Sequence, residues 1–231
     1  MLLQIDTTLP LDTMMTAAEQ VVQEPEKLRF IDLLIKGGWV MLPLALLLLI
    51  GLVIFIERYL TIRKANRFEK NLMVQVKQSI LSGKLESALA ICRNNNGPLG
   101  RMLQKGLLRI GRPIKEIEGA IENVGKLEVA KLEKNINILG IIAGIAPMMG
   151  FVGTIIGVIA IFHEVELAGV IDIGTVSGGL YVKMVSSATG LIIGIIAYIG
   201  YHILNEMVER IILRMETDAI EFIDLLDEPV S

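Results

Sequence analysis

Cysteine is nearly absent from this sequence: Cys92 is the one copy among 231 residues, which excludes an intrachain disulfide and a cysteine-rich metal site. Aromatic residues make up only 5% of the chain, and the basic segment lacks the stacking platform that a nucleic-acid binder would need. Walker, HExxH, GxSxG and CxxC patterns are missing, so the chain reads as a non-enzyme with no cofactor and no bound metal. The opening MLLQIDTTLPLDTMMTAAEQ holds two Asp and neither Lys nor Arg, unlike a cleavable secretory signal, so the first membrane helix is expected to serve as an uncleaved targeting signal. Charge is missing from three long stretches, residues 37–56, 135–162 and 184–205.

What is there explains those gaps. Hydrophobic residues make up 53% of the chain, and each uncharged stretch is near or above the roughly 20 residues that cross a bilayer core. The short alternating segments of an outer-membrane barrel do not occur. The composition therefore predicts an all-α integral membrane protein with three transmembrane helices, at 37–60, 136–162 and 178–204. Residues 61–135 carry 15 of the 22 Lys and Arg, against 7 acids, while residues 163–176 carry none and 3 acids. The positive-inside rule places 61–135 in the cytoplasm, the amino terminus and the 163–177 loop outside, and the carboxyl terminus inside.

Helical spacing of Leu28, Ile31, Leu34 and Ile35 suggests an amphipathic helix on the outer surface within residues 1–36, with Trp39 at headgroup level. In the cytoplasmic region, Gly83, Gly97 and Pro98 punctuate short helices. Between Pro113 and Pro147 there is no proline, so one helix is expected from about Ile114 to Phe162, about 70 Å long at 1.5 Å per residue. Its cytoplasmic stripe comprises Ile114, Ile117, Ile121, Val124, Leu127 and Leu132. A second extension at 205–231 places Met207, Ile211, Met215, Ile220 and Ile223 near helical spacing. Such stripes predict a helical bundle below the membrane, formed within a subunit or between subunits.

The second and third spans are rich in small residues. Gly140 and Gly144, Gly153 and Gly157, and Ser186, Gly190 and Gly194 stand four apart, spacing that lets helix backbones approach. Pro147 frees the Ala143 carbonyl, which a membrane tolerates only against protein or water. Pro147, Gly150 and Thr154 share a face, and Thr154 and Ser187 are expected at one depth. Two readings stay open for the hydroxyls of Thr154, Ser186, Ser187 and Thr189: a polar belt in an ion path, or bonds along and across helices. Lys183 likewise either snorkels to the outer interface or faces an internal cavity. His163 and His202 read as interfacial residues, and Asn135 and Asn137 mark the inner boundary. No span holds an interior Asp or Glu, and hydroxyls do not titrate near neutral pH, so any proton carried here needs a carboxylate from another subunit.

These residues resemble the MotA/TolQ/ExbB proton-channel family, closest to ExbB. The resemblance runs from about residue 31 to 228 through KGGWVMLPL, GKLESALAICRNNNGPLGRML, LEVAKLEKNINILGIIAGIAPMMGFVGTIIGVIAIF and GGLYVKMVSSATGLIIGIIAY. It implies a homopentamer whose second and third helices line a central pore in the bacterial inner membrane. An ExbD-like single-span dimer in that pore would supply a membrane Asp, and a TonB-like protein would pass the work to outer-membrane transporters. By motif position Thr154 matches the pore threonine, and Ser187 stands where ExbB and TolQ usually have a second one. One departure is visible: relatives commonly carry a Glu where this chain has Val182, with Lys183 next to it. A TolQ-like or motility-related stator, or a non-conducting scaffold, is the alternative.

Overall fold

The computed structural model describes residues 38–68 and 71–227, and every regular element among them is a helix. In chain order these are α1 (Met41–Phe68), α2 (Leu72–Leu81), α3 (Leu85–Asn94), α4 (Pro98–Leu107), α5 (Ile114–Glu133), α6 (Ile136–Ala168) and α7 (Ile173–Asp227). The amphipathic helix expected before residue 37 lies outside the described residues. Three apolar helices are long enough to cross a membrane, carried by α1, α6 and α7.

Local chemistry sets the breaks. Gly83 closes α2 in the left-handed region at φ 69°, where a side chain would be strained. Gly97 caps α4 and Pro98 opens it, at a position whose missing N–H has no helical partner anyway. Asn95 completes the turn, its Oδ1 accepting from the Gly97 amide at 2.8 Å.

Two expected boundaries need correction. The helix from 114 to 162 is divided: α5 stops at Glu133, Lys134 is extended, and Asn135 enters the left-handed region at φ 65° before α6 begins. Composition hides this joint because neither residue is a proline or glycine. The predicted loop at 163–177 shrinks to residues 169–172, since α6 continues through Ala168 to a left-handed Gly169 and α7 starts at Ile173. Glu164 and Glu166 therefore sit on a helix. The third span and its extension form one helix of 55 residues, about 80 Å long.

Below the membrane-crossing layer, α2 to α5 pack with the lower halves of α1 and α7. Phe222, Leu103, Leu99, Ile121, Ile211 and Met215 fill the centre of this bundle. Burial pushes the Cys92 thiol up to about 11, so it serves as a small apolar side chain. The expected stripes are shifted by one residue at two points. Leu127 is 62% exposed and Ile220 60% exposed, whereas Glu128, Ala219 and Phe222 face inward.

Glu128 is buried because its charge is met. Its carboxylate accepts from Arg101 of α4 and, at 2.7 Å, from Lys131. Burial pushes its pKa up, but the Arg101 and Lys131 hydrogen bonds and charges more than offset this and hold it below the ordinary 4.5. A depressed folded-state value adds stability above the unfolded pKa and loses it as pH falls through the folded one. Glu128→Gln is thus expected to cost about 1–3 kcal/mol at neutral pH. Thermal unfolding checks this: the gap to wild type should close as the medium is acidified below the ordinary carboxylate range.

Candidate functional site

The most extensive packing in the molecule is between α6 and the antiparallel α7, and it is made by glycine. A Cβ placed on Gly190 would stand 2.5 Å from the Ala146 carbonyl oxygen and 3.0 Å from the Gly150 Cα. One on Gly150 would meet the Ser186 carbonyl at 2.9 Å, and one on Gly194 the Pro147 ring at 2.6 Å. Gly153 faces the Ser186 hydroxyl and Val40 just ahead of α1, Gly157 is crossed by the Lys183 stem, and Gly140 lies against Tyr201. These six residues pack as small residues between membrane helices do. Gly144 does not: nothing packed against it among the described residues comes within 4 Å of its would-be Cβ.

The hydroxyls are tied to this seam. Thr154 Oγ1 reaches two acceptors at 3.2 Å, the Gly150 carbonyl of its own helix and the Lys183 carbonyl of α7. Ser186, 1% exposed, donates to the same Lys183 carbonyl at 2.7 Å, and Thr189 donates back to Val185 at 2.9 Å. Thr154, Ser187 and Thr189 are half-buried, at the rim of the seam. The Ser187 hydroxyl has no hydrogen bond among the described residues.

Two expectations change here, and the open reading of Lys183 narrows. The face shared by Pro147, Gly150 and Thr154 looks at α7, and the carbonyl that Pro147 frees at Ala143 is covered by Gly194. The proline therefore opens a carbonyl onto a close helix contact within the protomer. Thr154 and Ser187 are not level, since Thr154 is bonded to Lys183 and Ser187 lies beside Gly150. The stagger is one helical turn, about 6 Å. Lys183, lying across Gly157, brings its Nζ to 3.9 Å from the would-be Cβ of Gly38, in the turn ahead of α1. The stem thus runs along α6 toward the loop end of the membrane layer, the course of a snorkelling lysine.

Sequence reasoning passed over two polar residues. Arg58, at the inner end of the first span, is 7% exposed and donates to the Lys131 carbonyl at 3.2 Å. Glu128 could have been found, because it continues the helical spacing of Ile117, Ile121 and Leu132 better than Leu127 does.

Comparison with known proteins gives one family. The model of the MotA/TolQ/ExbB proton channel family matches residues 94–217, which run from α4 well into α7 and include every glycine and hydroxyl of the α6–α7 seam. A protein of Methanothermobacter thermautotrophicus named as a biopolymer transport protein ExbB homologue is 26% identical over 190 residues, covering 81% of this chain and 65% of its own length. The biopolymer transport protein ExbB of Helicobacter pylori is 36% identical over 71 residues, 31% of this chain and 49% of that protein. An ExbB-like protein of Synechocystis is 26% identical over 187 residues, 76% of this chain and 70% of its own length. The chain thus spans less than two thirds of the archaeal relative and about half of the Helicobacter one.

Proposed function

The chain belongs to the MotA/TolQ/ExbB proton channel family, and from that premise we propose that it is an ExbB-like motor subunit whose homopentamer surrounds a pore walled by α6 and α7. The observation that carries the reading is Thr154. Its hydroxyl sits half-buried at the rim of the seam between the two most closely packed membrane helices, bonded across to α7. An apolar channel needs such groups to replace the hydration of a passing ion. Ser187, half-buried one turn along α7 from Lys183, offers a further hydroxyl beside Gly150.

The α1, α6 and α7 spans hold no interior Asp or Glu, so the proton carrier comes from elsewhere. An ExbD-like single-span dimer with a membrane Asp is the partner this chemistry asks for, and a TonB-like protein is the receiver of the work. The chain sits in the inner membrane with its amino terminus periplasmic and the bundle cytoplasmic, as the 15 basic residues of 61–135 favour.

Native mass spectrometry of the complex purified with its neighbouring gene products tests this directly. Five copies of this chain with two of a single-span protein are expected. A partnerless oligomer would leave no carboxylate within the spans for proton transfer and would favour a membrane scaffold. The same five-to-two assembly with no coupling to outer-membrane uptake would favour a TolQ-like or motility-related stator.

A further inference from the structure

The joint between α5 and α6 is held from outside. Lys134 (φ −49°, ψ 131°) and Asn135 (φ 65°, ψ −5°) both leave the helix, and the left-handed region is costly for a residue with a side chain, least so for Asn. The last carbonyls of α5 have no acceptor role within their own helix. Arg58 of α1 supplies one of them, donating from Nη1 to the Lys131 carbonyl at 3.2 Å. Glu57 orients that guanidinium, with Nη2 to Oε1 at 2.6 Å and Nε to Oε2 at 3.4 Å. Lys134, inside the joint, adds its own charge attraction to Glu57. Lys131 is also fixed through its ammonium, which donates to Glu128, and Glu128 is tied to Arg101 of α4.

We propose that the Glu57–Arg58 pair is a clamp that positions the α5–α6 joint and so sets the direction in which α6 leaves the bundle. The need for it follows from α7. That helix runs unbroken through both layers, packing against α5 in the bundle and against α6 along the glycine seam. One unbroken helix packs against two partners that are themselves joined by a non-helical turn, and α1 brings two charged groups to that joint. The clamp is a property of the chain's own geometry and does not depend on what the pore conducts.

Amide hydrogen exchange of the full chain in nanodiscs, with any co-purifying partner retained, tests it. In Arg58→Gln, peptides within 131–138 are expected to exchange roughly tenfold faster, the effect of one lost charged hydrogen bond on a local opening. Peptides of α4 at 98–107 should keep their wild-type rates, and Arg58→Lys should recover part of the protection. Glu57→Gln, on a half-exposed side chain and so safe for folding, is expected to accelerate the same segment by a smaller factor. Wild-type rates at 131–138 in both variants would overturn the clamp, as would equal acceleration of α4, which would make Arg58 a general prop of the bundle.

Discussion

Thr154→Val is expected to reduce ion-driven work by the assembled complex to background while leaving the assembly intact. Valine keeps the branched shape, so packing against α7 is preserved, and the change removes a single hydroxyl. The lost bond to the Lys183 carbonyl is a cross-helix hydrogen bond of the kind that averages about 0.6 kcal/mol in membranes, far too little to unfold a seam built by close backbone contact. The loss of activity would come from the missing oxygen along an ion path that the spans themselves do not supply with carboxylates. Proton flux into proteoliposomes holding the co-purified complex is the measurement, with native mass spectrometry as the assembly control. Thr154→Ser restores the oxygen with a smaller side chain and is expected to keep most of the flux. Wild-type flux in Thr154→Val would remove this hydroxyl from the mechanism; lost flux together with lost assembly would assign it to packing.

The sequence disclosed the membrane layer because hydrophobicity is a property of composition, and a run of 20 or more uncharged residues needs no partner to be recognised. It disclosed the glycine spacing for the same reason. Which way the glycine face points depends on a second helix that periodicity does not contain. Pro147 with a hydroxyl two turns on suggested an open polar face, whereas Gly194 lies against the proline and Ser186 and Ser187 lie against Gly150, closing that face within the protomer. The joint at Lys134–Asn135 escaped notice because both residues are tolerable inside a helix by propensity, and the group that meets its last carbonyls is Arg58, 73 residues away from Lys131. Leu127 and Glu128 show the same limit from the other side. Hydrophobicity assigned the inward position to leucine, and Arg101 of another helix makes the glutamate the residue that fits there.

Gly190→Ala is expected to be far more damaging than Gly157→Ala, although the latter would-be Cβ has the more crowded surroundings. The difference lies in what each added methyl would meet. At Gly157 the obstacle is the aliphatic stem of Lys183, which can change rotamer at a cost of about 0.5–1.5 kcal/mol and still carry its ammonium to the membrane surface. At Gly190 the obstacles are the Ala146 carbonyl oxygen at 2.5 Å and the Gly150 Cα at 3.0 Å, both backbone of α6. Neither can move without moving the helix, and the helix is held by Gly150 and Gly194 on either side of the same contact. Overpacking at such a site costs about 3 kcal/mol. Separating the helices there also lengthens the Thr154 to Lys183 bond, so ion-driven activity should fall with stability in Gly190→Ala and survive in Gly157→Ala. Thermal unfolding and proton flux of the two variants in matched nanodiscs and proteoliposomes decide the matter. Equal destabilisation would mean that Lys183 is as immovable as a backbone carbonyl, and its ammonium would then have to be held by something stronger than the membrane surface.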